Sequence, residues 1–197
     1  MIAIIDYGAG NLRSVQNTLD EIGAGYTVLP GAEGLSDATK IVLPGVGHFG
    51  QMMRALDERG LRAPLLERIR AGVPFLGICL GLQALFSGSD EAPEENGLAL
   101  LEGKVRRFAE TARVPHMGWN DLERTAPSKL LAGLPERPYV YFAHSYYAPV
   151  CEATAASCTY TTPYTAVLER DPLFGVQFHP EKSGSIGMTI VRNFADL

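Results

Sequence analysis

The stretch from Val73 to Gln83, VPFLGICLGLQ, constrains the fold more than any other part of the chain. Phe75 to Ile78 reads as a short buried strand, and Leu80, Leu82, Gln83, Leu85 and Phe86 read as the opening turns of a helix. Cys79 therefore falls on the corner between them. A residue at a strand-to-helix corner takes a strained backbone, and glycines two positions to either side, Gly77 and Gly81, let the chain fold past itself. The corner turns the sulfur away from the sheet and beside the unpaired N–H groups of the helix start, whose dipole favours a thiolate. The N–H of Leu80 is then placed to bind an oxyanion. A lone thiol is also commonly a buried structural residue, and the corner by itself leaves both readings open.

At 197 residues the chain can bury one sizeable core, and we expect a single domain over residues 1–197. A net charge of −5 gives no electrostatic reason to seek nucleic acid or an anionic membrane as a partner. The basic run Lys104, Arg106 and Arg107 reads as the solvated face of a strand. Three cysteines without framework spacing argue for a reducing compartment, and the absence of CxxC and HExxH leaves no metal signature. The N-terminal run Met1 to Ile5 has no basic flank and stops at Asp6, so it reads as a first strand rather than a leader, and no later run is long enough to span a membrane. The expected location is cytoplasmic.

Along the chain, strands and helices alternate. Ile2 to Ile5 forms a strand, and Leu12, Val15, Leu19 and Ile22 stand at helical spacing closed by Gly23. The glycines between them invite a dinucleotide reading, but Arg13 fills the third glycine position and no acidic residue follows the second strand in the ribose role. Tyr26 to Leu29 and Lys40 to Leu43 are further strands. Met52 to Arg59 is a helix, and Pro64 opens another that runs to Gly72. The loop Pro44-Gly45-Val46-Gly47-His48-Phe49-Gly50 leaves amides uncovered at a strand's carboxyl end, where open α/β sheets bind ligands. His48 reads better as a helix cap than as a base. Residues 87–97 read as a polar, acidic loop, Leu98 to Val176 as mostly antiparallel strands with a helical turn from Pro127 to Ala132, and Ser185 to Ala195 as a closing helix. The fold class is α/β: an open mixed sheet, mostly parallel with flanking helices, plus a smaller antiparallel β region.

A second constellation lies at Phe174 to Glu181, FGVQFHPE. In extended chain Glu181 and His179 point to the same side, so the carboxylate can reach the imidazole, and Pro180 marks the strand end. A carboxylate on one ring nitrogen sets the tautomer and leaves the other nitrogen as an acceptor, which a cysteine nucleophile needs from its base. A strand-end histidine in a surface ion pair fits the same residues.

GICLGLQ around Cys79, together with FGVQFHPEKS around His179, resembles the triad-type, class I glutamine amidotransferases, in which Cys, His and Glu hydrolyse the side-chain amide of glutamine. Within that class IIDYGAGNLRSV, LPGVGHFG, VPHMGWN (Val114 to Asn120) and YFAHSYY (Tyr141 to Tyr147) resemble the glutaminase subunits of imidazole glycerol phosphate synthase, over nearly the full chain. The resemblance implies a flavodoxin-like fold and a triad of Cys79, His179 and Glu181. It places the oxyanion hole at Leu80 and the Val46-Gly47 loop. Gln83, Glu91, Ser145 and Tyr146 are implied to bind glutamine. No metal or organic cofactor is implied. The implied partner is a (β/α)8 cyclase subunit, forming a heterodimer in which ammonia passes from one chain to the other. Asn11, Arg13, Met117, Trp119, Tyr141 and Lys182 flank the triad and are expected at that interface, with a core aromatic as the alternative for Trp119. The subunits of anthranilate or aminodeoxychorismate synthesis, a free-standing cysteine hydrolase and a non-catalytic module are the competing readings.

Overall fold

The protein is described by a computed structural model covering residues 1–197. Its first half alternates as expected: β1 (Ile2–Ile5), α1 (Leu12–Glu21), β2 (Tyr26–Leu29), β3 (Lys40–Gly45), α2 (Phe49–Glu58), α3 (Arg62–Arg70), β4 (Phe75–Cys79) and α4 (Leu80–Gln83). The second half is strand-rich: β5 (Phe86–Ser89), β6 (Ala92–Asn96), β7 (Leu101–Arg107), β8 (His116–Asp121), β9 (Glu123–Arg124), β10 (Tyr139–His144), β11 (Tyr146–Tyr147), β12 (Thr154–Thr159), β13 (Pro163–Arg170), β14 (Leu173–Val176) and the closing helix α5 (Gly184–Ala195).

Eight strands form one sheet in the order β2-β1-β3-β4-β14-β13-β12-β9. The pairs from β2 through β14 are parallel, and those from β14 to β9 are antiparallel. Successive side chains of a strand point to opposite faces, so a sheet covered on both sides reads as an unbroken apolar run. β1 does so: Ala3 and Ile5 join one core cluster, and Ile2 and Ile4 the other. The first cluster holds the apolar sides of α2 and α3, and the second those of α1 and α5. With 29 and 27 buried residues they are nearly equal, so the sheet is shielded on both faces. Two smaller sheets, β11-β7-β5-β6 and β10-β8, lie beyond it. The mixed, mostly parallel sheet and the added β region therefore agree with the sequence.

Several local expectations are corrected. The helix after Cys79 stops after one turn, and Phe86 lies in β5. To continue, α4 would need the carbonyls of Ala84 and Leu85, but those accept from Leu98, Leu100 and Leu101 instead. Residues 87–97 are not a loop: they form most of the β5–β6 hairpin, and Pro93 is tolerated because β6 is an edge strand. At Pro127 to Ala132 no regular helix forms: the Ala132 N–H closes a single turn on the Lys129 carbonyl, and the Glu169 carboxylate accepts from the N–H groups of Lys129 and Leu130 at its start. α2 begins at Phe49, ahead of Met52, and α3 at Arg62, so Pro64 sits third in its helix, where its missing N–H has no carbonyl to lose. No helix is long and apolar enough to cross a membrane.

Candidate active site at the strand ends

Cys79 ends β4 with φ 53° and ψ −104°, a conformation that costs a residue with a Cβ about 1–3 kcal/mol. The neighbours explain how the corner closes. A Cβ on Gly77 would lie 2.4 Å from the Gly81 carbonyl oxygen, and one on Gly81 would lie 2.0 Å from the Leu43 carbonyl oxygen. β4 and its helix thus pass each other, and β3, at a separation only glycine allows. The first amide of α4, that of Leu80, has no carbonyl within its own helix to bond and sits beside the sulfur.

Topology brings the histidine. β14 lies parallel to β4 with Val176 opposite Ile78, and β3 lies on the other side with Gly45 opposite Cys79. Three neighbouring strands therefore deliver Cys79, the Val46-Gly47 loop and His179 to one end of the sheet. The His179 backbone is tied down by its N–H bond to the Tyr141 carbonyl (2.9 Å) and by the Ser183 hydroxyl on its own carbonyl (2.7 Å). Glu181 Oε1 stands 2.8 Å from His179 Nδ1, with both side chains almost wholly buried. The pair forms for a different reason than expected: β14 ends at Val176, and Pro180–Lys182 is a 3-10 turn that swings the carboxylate back onto the ring. Helix α5 packs directly beneath this turn, for a Cβ on Gly187 would meet the Pro180 carbonyl oxygen at 1.8 Å. Burial depresses the imidazole, but the neighbouring Cys79 and the hydrogen bond to Glu181, with the charge on each, outweigh burial and raise His179 to about 10. So basic an imidazole readily holds the thiol's proton.

Cys79, Leu80 and His179 border a cleft of about 220 Å³. It is below the range of about 300–1,000 Å³ common for drug-sized ligands, so it suits a single small molecule such as an amino acid. Val46, Gly47, Gln83, Glu91, Ser145 and Tyr146 all line it, as do Pro115, Ala143 and His144. Within the loop, Tyr7 Oη accepts from the Val46 N–H and donates to its carbonyl, both at 3.3 Å. The amide of Val46 is thus occupied, and that of Gly47, at φ 96°, has no partner. Both hydrogens of the Gln83 amide are engaged as well, on the Tyr146 carbonyl (2.9 Å) and Gln177 Oε1 (3.1 Å), which leaves its oxygen for a ligand. Glu91 Oε2 accepts from the Phe49 N–H at 2.7 Å, so it caps α2 while bordering the cleft. His48 caps the same helix, with Nδ1 accepting from Gly50. No cluster of three His, Cys, Asp or Glu side chains is arranged to hold a metal ion.

The residues expected at an interface are on the outer face of the β8–β10 ribbon and beside it. Trp119 pairs with Tyr141 and Met117 with Ala143 in register. Met117 is 64% exposed and Trp119 56%, so Trp119 is not a core aromatic. Lys182 Nζ lies 5.8 Å above the Tyr141 ring, and that ring stands 6.0 Å from Trp119. Asn11 and Arg13 open α1, which packs against the 3-10 turn that carries Glu181 and Lys182. Sequence reasoning passed over two buried polar residues. Gln177, wholly buried, points its Nε2 at Cys79 Sγ from 3.6 Å. His144 Nδ1 donates to the Tyr146 carbonyl at 2.8 Å. In each case the signal was a polar residue inside an otherwise apolar strand run.

The sheet order and the cysteine corner beside a His–Glu pair define a class I glutamine amidotransferase. The family described as glutamine amidotransferase class-I matches residues 3–197. Solved structures agree on the fold: a glutamine amidotransferase crystal structure superposes with a TM-score of 0.79 at 20% identity, covering 100% of both chains. The structure of PurLQS from Thermotoga maritima superposes at 0.78 and 16% identity, covering 99% of this chain and 97% of that one. More similar in sequence are proteins named imidazole glycerol phosphate synthase subunit HisH. That of Methanothermobacter thermautotrophicus is 50% identical over 100% of this chain and 98% of its own, and that of Desulfitobacterium hafniense 46% identical over 98% and 93%. The chain belongs to the class I glutamine amidotransferases and, within them, to the HisH subunit family.

Proposed function

We propose that this chain, acting as one unit over residues 1–197, is the glutaminase of imidazole glycerol phosphate synthase and supplies ammonia for histidine biosynthesis. The observation that carries the reading is the buried His179–Glu181 pair beside a cysteine held at a strained corner, with Cys79 and His179 lining one amino-acid-sized cleft.

His179, oriented by Glu181, takes the Cys79 proton, and the thiolate attacks the glutamine amide carbon. The tetrahedral oxyanion is met by the Leu80 amide and by the unpartnered amide of Gly47. As the intermediate collapses the imidazolium gives its proton to the departing amide nitrogen, which leaves as neutral ammonia, and the thioester that remains is hydrolysed by water to glutamate. Glutamine is gripped by the Gln83 oxygen, Glu91 and the main chain at Ser145 and Tyr146. Free ammonia is mostly protonated near neutral pH and is then no nucleophile, so direct delivery to an acceptor is chemically favoured. The acceptor is a (β/α)8 cyclase subunit, which uses the ammonia to form imidazole glycerol phosphate and an aminoimidazole carboxamide ribotide. It docks on the exposed Met117 and Trp119 and the half-buried Tyr141 between them and Lys182, with Lys182, Asn11 and Arg13 at its margin.

The test is glutamate release from glutamine by the chain alone, with a cyclase subunit, and with cyclase plus its nucleotide ligand, each beside Cys79→Ala. Release that rises steeply in the complete mixture and vanishes in the variant is the expected result. Release indifferent to the cyclase would remove the partner, and release by Cys79→Ala would remove the nucleophile.

A further inference from the structure

Gln177 lies two residues before His179 with no exposed surface, and its side chain spans two others. Gln83 Nε2 is 3.1 Å from its Oε1, and its own Nε2 is 3.6 Å from Cys79 Sγ. The two ends of an amide are nearly alike in shape, so which end faces the sulfur has to be settled by partners. One carbonyl settles it. The Tyr146 oxygen can only accept, and Gln83 reaches it at 2.9 Å, so that end of Gln83 is its NH2. The same nitrogen faces Gln177, which must therefore present its oxygen to Gln83 and its NH2 to Cys79. Turning Gln177 over would set NH2 against NH2 in a buried site and leave donors unsatisfied.

We propose that Gln177 is a catalytic residue whose amide N–H donates to the Cys79 sulfur and stabilises its thiolate, with Gln83 as the positioning residue that keeps that N–H turned inward. A hydrogen bond to an ionised acceptor is roughly twice as strong as one to a neutral acceptor, so this donor favours the charged sulfur over the thiol. It also differs in kind from His179. The imidazole surrenders its proton to the departing nitrogen in each turnover, whereas an amide does not titrate. Gln177 therefore remains a donor to the sulfur through every step, including the release of the thiolate when the thioester is hydrolysed. Its motif position suits the task, because β14 runs beside β4 and carries Gln177 and His179 to the same sulfur. The role rests on Cys79 being the glutaminase nucleophile, but its test does not require glutamine.

The experiment is alkylation of Cys79 by iodoacetamide, in which the thiolate displaces iodide, in the full chain and in Gln177→Leu and Gln177→Met. Peptide mass separates Cys79 from Cys151 and Cys158, and the rate is followed from neutral to alkaline pH. Both variants are expected to react about tenfold more slowly near neutrality and to converge on the wild-type rate at high pH, where the thiol ionises unaided. In glutamate release they lose about tenfold in kcat with little change in KM, the pattern of an interaction made at the reacting atoms. Alkylation on the wild-type curve in a folded variant overturns the proposal. So does slowing by one constant factor at every pH, which is altered access rather than altered ionisation. Should Gln177→Leu fail to fold, the unbranched Met variant carries the same comparison. Slowed neutral alkylation in variants of a chain that releases no glutamate would uphold the donor and overturn the glutaminase reading instead.

Discussion

Glu181 Oε1 lies 2.8 Å from His179 Nδ1, and the two side chains are 2% and 4% exposed. So buried a carboxylate on Nδ1 keeps that nitrogen as the donor and Nε2 as the face offered to the cysteine. Glu181→Gln removes the negative charge that stabilises the imidazolium and no longer fixes the ring tautomer, so the base is weakened. The expected result is a fall in kcat of about 100-fold or more with KM little changed, read by steady-state glutamate release.

The corner at Cys79 is built on glycines that touch backbone. Gly81→Ala puts a Cβ 2.0 Å from the Leu43 carbonyl oxygen, which belongs to a central strand and has nowhere to go. It is expected to destabilise the fold by more than about 3 kcal/mol. Gly23→Ala is the contrast: φ is +74° there but no atom lies within 4 Å of the new Cβ. Its expected cost is about 1 kcal/mol, from the left-handed backbone alone. Paired urea melts check the difference.

Stability is expected to fall on acidification below neutrality. His116 and His144 are buried, and desolvation lowers them to about 4 and about 3. Below their ordinary value of about 6.5 the unfolded chain takes up protons that these folded imidazoles refuse. Each therefore removes about 1.4 kcal/mol per pH unit as pH falls toward its folded value. His179 acts at the other end: raised to about 10, its contribution is whole below its unfolded value and is lost as pH climbs through about 10. Urea melts across pH measure both limbs. His116→Phe, which keeps the ring stacked on Tyr160 at 4.1 Å and on Phe142 at 5.0 Å, should lower the acid slope by about one proton.

The exposed face of the β8–β10 ribbon separates docking from folding. Trp119→Ala and Lys182→Ala remove side chains that bury little within the chain, so melting should change by under about 0.5 kcal/mol. Titration against a cyclase subunit is expected to show affinity weakened by about tenfold or more for Trp119→Ala, the aromatic at the centre of the patch. Unchanged affinity and unchanged activation in both variants would move the partner to another face.

Much of this protein was legible without its tertiary structure. Two glycines around Cys79, a histidine and a glutamate around Pro180, and apolar runs spaced for β1, α1, β2, β3 and α5 depend on neighbours within a few residues, and there local chemistry dominates. The helix after Cys79 is shorter than its apolar spacing implies because its end is set by Leu98, Leu100 and Leu101, which take the carbonyls it would need. Residues 87–97 look like loop in the sequence because an edge strand with Pro and Glu lacks the apolar alternation that marks a central one. Pro127 to Ala132 closes only one turn, and Glu169, some 40 positions on, holds the Lys129 and Leu130 amides at its start, a partner that local spacing does not reveal.

What the sequence determined by itself was the set of chemical groups and the strained corner that presents one of them, since both follow from residue type and spacing. What only the tertiary structure decided was their meeting. Strand order set β14 against β4, so that His179 and Gln177 reach a sulfur about a hundred residues earlier in the chain. The single carbonyl of Tyr146 then fixed which way the buried amides point. Spacing along a chain cannot encode either outcome, because a hydrogen bond is directional and its partner is chosen by how distant strands pack.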